Sequence, residues 1–171
     1  VIERGRIGET WRSQRWDSFM MNTANRINVL PGASYRGKKP EGYSSATEFI
    51  TALESYVSKF QLPVTENTNV ISIEKPVSSP YFVITVKHEH EPPKKLNCWQ
   101  VIIASGTLNE KKLPTFASLI SPEIKQIHTS EYRNPARLPD GAVMVIGSAQ
   151  SGCQVAEDLL EAGRKVYLST S

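Results

Sequence analysis

The stretch Val143–Ser169, "VMVIGSAQSGCQVAEDLLEAGRKVYLS", decides the fold. It opens on "VMVI", a short run that is apolar throughout, as a strand buried in a parallel sheet requires. Gly147 interrupts the run. A helix-like stretch follows from about Ser151 to Ala162, with Gly163 placed as its C-cap glycine. "KVYLS" then reads as one more strand. Strand, turn, helix and strand within about 25 residues make up one βαβ unit.

The turn carries the chemistry. Gly147, Ser148, Ala149, Gln150, Ser151 and Gly152 have the Gly-x-x-x-x-Gly frame of a dinucleotide fingerprint, with Ala149 where the middle glycine belongs. Gly147 permits a tight strand-to-helix turn, the middle position admits a diphosphate close to backbone amides, and Gly152 lets helix and strand pack closely. A helix N-terminus adds unpaired N–H groups and a partial positive charge. Ala149 adds one methyl group at the closest approach. A structural turn rich in small residues is the rival reading, and the order of elements favours the cofactor loop. After the second strand an NAD site places Asp or Glu for the ribose. Ser169, Thr170 and Ser171 stand there instead, and their hydroxyls suit a 2′-phosphate, so NADPH is favoured over NADH.

Elsewhere the chain reads as an ordinary folded protein of 171 residues, 39% hydrophobic and 22% charged. A net charge of +3, with scattered basic residues, gives no argument for nucleic acid. No apolar run approaches the ~18 residues of a membrane span. Cys98 and Cys153 lie far apart without metal or CxxC spacing and read as buried free thiols in a reducing, cytoplasmic compartment. No metal site is expected. "SATEFITALESYVSKF" is the strongest helix, with Ser45 and Glu48 as a capping box and Phe49, Leu53, Tyr56, Val57 and Phe60 on one face. "NVISIEK", "YFVITVKHE" and "CWQVIIAS" read as strands of an antiparallel meander, the last returning to a buried sheet. Val1–Glu3 fit the end of a buried strand. Residues 11–32 show no period and suggest an irregular segment packed over a core.

Taken together, these segments resemble the flavin-containing monooxygenases along nearly the whole chain. "VIERGRIGETWR" resembles that family's second strand and Gly-x-x-Trp turn, which makes Glu3 the match for the acidic residue on the FAD ribose and adds Gly8 and Trp11 to the cofactor site. Glu9 replaces a frequent second glycine. "WDSFMMNT" is similar to the segment that carries an asparagine beside the flavin, so Asn22 is the catalytic candidate. "IIASG" resembles the return to the FAD sheet and adds Gly106, with Ser105 in place of threonine. "HTSEYRNP" resembles the His-x-x-x-Tyr element. The fuller signature puts Phe and Gly where Pro122 and Ile124 stand. The Baeyer–Villiger sister group has Trp at the place of Tyr132.

The resemblance implies an α/β protein of Rossmann-like parallel sheets, a two-dinucleotide-binding flavoprotein with an antiparallel β-meander, incomplete at both ends. Residues 1–138 are expected to be part of an FAD domain and 139–171 the start of an NADPH domain, within an internal slice of a longer enzyme. The implied activity is FAD- and NADPH-dependent monooxygenation, in which a flavin C4a adduct of O2 passes one oxygen atom to a small soft nucleophile. Two alternatives stay open. One is a flavin-dependent pyridine-nucleotide reductase. The other is a non-catalytic nucleotide-binding module, whose exposed sheet edges favour self-association. His128 is read as structural rather than as a base, because it has no adjacent carboxylate partner. His88 and His90 are read as a solvated strand face.

Overall fold

The computed structural model describes residues 1–106 and 110–170. It is a mixed α/β protein whose contacts form two units, one of Val1–Glu9 with Ala52–Asn109, the other of Thr10–Thr51 with Glu110–Ser171. The boundaries fall inside α1 (Glu9–Ser13) and α2 (Ala46–Lys59). The capping box expected at the start of α2 forms. Ser45 Oγ accepts from the Glu48 amide at 3.2 Å, and the Glu48 carboxylate accepts from the Ser45 amide at 2.8 Å. Along its apolar stripe Leu53, Tyr56 and Val57 are half-buried, whereas Phe60 is exposed and Ile50 is the buried residue.

The first unit is built on an antiparallel meander of β1 (Thr68–Glu74), β2 (Phe82–His88) and β3 (Lys94–Cys98), in that order. A bulge between Val70 and Ser72 bends β1. In the central strand Ile84 and Val86 point to the covered face and are buried, the period-two pattern of a one-sided sheet. The third strand is shorter than its sequence suggests. β3 ends at Cys98, and residues 101–106 are not in a strand, leaving Ile102 89% and Ile103 77% exposed. An apolar run becomes a strand only where a neighbour accepts its backbone bonds. β3 pairs with β2 only as far as Cys98, opposite Phe82, and residues 101–106 belong to no described strand. Val1–Glu3 likewise make a single parallel bridge, Ile2 to Thr65, instead of ending a buried strand.

The second unit holds the βαβ. β4 (Val143–Ile146) and β5 (Val166–Ser169) pair in parallel from Val143↔Val166 to Ile146↔Ser169, joined by α3 (Gln150–Glu161). α3 ends as its glycine demands. Gly163 takes φ +75°, its amide bonds the Leu160 carbonyl at 2.9 Å, and Arg164 N–H reaches Leu159 at 3.0 Å. These two bonds define a Schellman motif. One face of α3 presses Val155, Ala156 and Leu159 against Val145. The irregular segment supplies the rest of this core: Trp16 and Phe19 meet edge to face at 5.1 Å, and Tyr132 closes the cluster. The opposite face of the strand pair, with Met144, Ile146 and Tyr167, is exposed.

Leu159 is fully buried, at 0% exposure, while its neighbour Leu160 is 58% exposed. Leu159→Ala is expected to lower the unfolding free energy by about 2–5 kcal/mol, the usual result of a cavity in a packed core. Leu160→Ala is expected to change it by no more than about 0.5 kcal/mol. Urea unfolding of the two variants checks the contrast.

Candidate functional site

The site is assembled at the turn from β4 into α3. Gly147 sits at φ +105°, a conformation that favours glycine, and its amide is held by the Ser169 carbonyl of β5 at 3.0 Å. The chain can therefore leave β4 without breaking the ladder. Gly152 is buried in the first turn of α3, and a Cβ placed there would lie 1.9 Å from the Gly147 carbonyl oxygen. No side chain fits in that gap. This is the close helix-to-turn packing that the last glycine of a dinucleotide fingerprint serves.

The packing leaves the helix opening bare. Ala149 is the N-cap, in extended backbone at φ −71° and ψ 174°, and its side chain offers no cap. Such backbone is open to any residue, so alanine replaces the middle glycine without strain. The amides that open α3, those of Gln150, Ser151 and Gly152, are the donors a helix cannot satisfy internally. Residues 147–151 are all exposed. The Cys153 thiol donates to the Ser148 carbonyl at 3.2 Å, drawing that oxygen back toward the helix. What remains is an exposed turn with N–H groups at the positive end of a helix dipole, an arrangement that suits an anion.

The other candidates are placed as follows. Trp11 and Asn22 share a unit with this turn, whereas Glu3, Gly8 and Gly106 belong to the first unit. Glu3 is half-buried; its Oε1 accepts from the Gly5 amide at 2.8 Å, and its backbone joins the Thr65 and Thr68 segment. Gly8 at φ +74° turns the chain into α1, and Gly106 takes φ +78° in an exposed position. Trp11 packs on Phe49 with centroids 4.8 Å apart. Asn22 is exposed, and its neighbour Asn25 is the buried amide, bonded to Ser44, Tyr35 and the Lys39 carbonyl. His128 caps its own turn, with Nδ1 bonded to Ser130 and its amide to Glu131. Ser169 is half-buried and Thr170 exposed at the end of β5, and Ser171 lies outside the described residues. Cys98 is half-buried and Cys153 exposed; both are free, so the expectation of two buried thiols does not hold. Cys153 faces outward because the inner face of α3 is filled by Val155, Ala156 and Leu159.

Sequence reasoning also missed a polar joint. Asp158 of α3 accepts from the Tyr132 hydroxyl at 2.5 Å and from Ser18 Oγ at 2.6 Å. Burial, and then this bond to a carboxylate, raise the Tyr132 hydroxyl well above its ordinary pKa. The sequence marks the need for a partner, though not which residues supply it. Asp158 follows Val155 by three residues, on the face that apolar spacing marks as covered, and an acid there needs a partner.

A parallel βαβ with a glycine-packed turn at the carboxyl end of its first strand is the arrangement found in dinucleotide-binding folds. The pyridine nucleotide-disulphide oxidoreductase family matches the chain over residues 1–171, and the chain belongs to that family. An uncharacterized CzcO-like oxidoreductase of Geobacillus kaustophilus is 38% identical over 169 residues, which cover 99% of this chain and 46% of that protein. A flavin-containing monooxygenase from Stenotrophomonas maltophilia superposes with a TM-score of 0.79 at 21% identity, over 95% of this chain and 46% of its own. OTEMO, solved in complex with FAD and NADP, superposes with a TM-score of 0.70 at 18% identity, over 99% of this chain and 33% of its own. The chain thus spans about half or less of the proteins it matches. The matched family is, by its description, one of enzymes, the pyridine-nucleotide oxidoreductases. No helix among the described residues is long and apolar enough to cross a membrane.

Gly152→Ala is expected to destabilise the second unit by about 3 kcal/mol, because the clash is with a backbone oxygen that has nowhere to move. Ala149→Gly, at an exposed site in ordinary extended backbone, is expected to leave the thermal midpoint within about 2 °C. Melting curves followed by circular dichroism test both.

Proposed function

We propose that this chain carries the nucleotide-binding turn of an FAD- and NADPH-dependent monooxygenase. The observation that carries the reading is the bare helix opening at Gln150–Gly152, kept open by a glycine whose place no other residue can take. The cradle fits a diphosphate by the chemistry of its donors: several convergent N–H groups, no carboxylate in the turn and no side chain over it. Residues 147–152 hold the NADPH diphosphate, and Ser169 and Thr170 receive the 2′-phosphate. Glu3, Gly8, Trp11 and Gly106 serve FAD, Glu3 through its carboxylate on ribose hydroxyls. Functionally, residues 1–138 belong to the FAD side and 139–171 open the NADPH side, in a cytoplasmic protein.

When bound, NADPH and FAD would supply the reducing equivalents and the O2 activation of a monooxygenation, one oxygen atom going to a small nucleophilic substrate and the other to water. The chain's own part is to bind and orient. The helix opening of α3 fixes the diphosphate, and the side-chain amide of Asn22 orients a polar group near the flavin without adding charge. Cys98 in β3 and Cys153 in α3 have no redox-pair spacing, which supports oxygenation over disulfide reduction. The exposed face of β4 and β5 supports self-association of the chain on its own.

Calorimetric titration of NADPH into the chain tests the proposal. Ala149→Glu puts a carboxylate at the diphosphate position and is expected to weaken binding at least about tenfold, equivalent to about 1.4 kcal/mol. NADH is expected to bind more weakly than NADPH, and Thr170→Asp to narrow or reverse that preference by repelling the 2′-phosphate. Equal binding by wild type and Ala149→Glu would contradict the assignment of the turn.

A further inference from the structure

The joint at Asp158 lies outside the turn and is not used in the function proposed above. Its carboxylate takes two hydroxyl donors from two different segments, Ser18 from the stretch that leads to Asn22 and Tyr132 from the turn opened by His128. Both bonds are short and charge-assisted, the stronger kind of hydrogen bond. A second tie runs in parallel, from Gln154 Nε2 of α3 to the Met20 carbonyl at 3.4 Å. Gln154 and Asp158 are one helical turn apart, so a single face of α3 grips residues 18–20 at two points. The segment is also fixed from outside, where the Asp17 amide bonds the Arg133 carbonyl at 2.8 Å and Asn134 Nδ2 bonds Asp17 at 2.6 Å. Beneath these bonds Trp16, Phe19 and Tyr132 form one buried cluster with Val155 and Leu159.

The helix that opens at Gln150 therefore carries at one end the amides of the proposed nucleotide site and along its flank the segment that bears Asn22. We infer that Asp158 is a positioning residue that makes the Trp16–Asn22 segment and helix α3 open and close as one unit, so that nucleotide held at Gly147–Gly152 also orders the segment carrying Asn22. This inference rests on the nucleotide reading of the turn. A ligand that binds only the closed form slows exchange in every element that must open with its site.

Amide hydrogen exchange of the full chain, with and without NADP+, reads this directly. In the wild type NADP+ is expected to slow the bonded amides of Asp17, Phe19 and Met21 by the same factor as those of α3. In Asp158→Ala, studied well below its melting temperature, α3 keeps its NADP+-dependent slowing and Asp17, Phe19 and Met21 lose theirs. Asp158→Asn, which keeps the size and one acceptor, restores a substantial part. Ser18→Ala removes a single bond, leaves the buried Tyr132 pair in place, and serves if Asp158→Ala does not fold; it is expected to reduce the coupled slowing. Unchanged coupling in folded Asp158→Ala, or in Ser18→Ala, overturns the inference and leaves the nucleotide site standing. Slowing confined to α3 in the wild type does the same. No slowing at Gly147–Gly152 in the wild type overturns the nucleotide reading and the coupling with it.

Discussion

A carbonyl oxygen and a hydrogen atom set the terms for the second unit. The Gly147 carbonyl oxygen lies 1.9 Å from where the Cβ of residue 152 would be in any other amino acid. α3 can therefore settle against the end of β4 only with glycine at that place. This approach accompanies the burial of Val155 and Leu159 with Val145 and leaves the amides that open α3 without a side-chain cap. Close packing and an open anion site are usually opposed, because packing brings side chains that cover backbone. Here the tightest contact is made by a residue without a side chain, so both are possible at once.

The charge pattern agrees with that geometry. A helix N-terminus carries about half a unit of positive charge, and α3 has no acidic residue in its first turn to neutralise it. α2 shows the contrasting case. Its first turn is closed by the reciprocal Ser45–Glu48 bonds, and the Glu48 carboxyl, held by the Ser45 amide and hydroxyl, titrates below the ordinary glutamate range. One helix is sealed by its own sequence and the other is left for a ligand.

Much of this architecture is legible in the residues because it is local. The capping box, the βαβ order, the Gly163 stop and the first two meander strands all follow from short-range rules of spacing, turn chemistry and alternation. The errors come where a distant partner decides. Residues 101–106 have strand composition, but they run past Phe82, where the β2 register ends, and a strand is defined by its neighbour. Cys153 looks like a small apolar residue inside a helix, yet it faces outward because Val155, Ala156 and Leu159 already fill the inner face. Asn22 stood out by resemblance, while Asn25, three residues on, holds the surrounding loop together from a buried position. Asp158, Ser18 and Tyr132 are separated by long stretches of chain, and no local pattern predicts that their oxygens converge. The turn is legible in its own residues and the family in the resemblance; the joint on the flank of α3 depends on contacts between distant segments.

The amides opening α3 are proposed to take a diphosphate. The most direct measurement is a crystal structure of the chain grown with NADP+. The predicted result is density for the diphosphate within hydrogen-bonding distance of the Gln150 and Ser151 amides, with the adenosine ribose phosphate beside Thr170. Nucleotide bound elsewhere, with the turn at Gly147–Gly152 left to solvent at saturating NADP+, would contradict it.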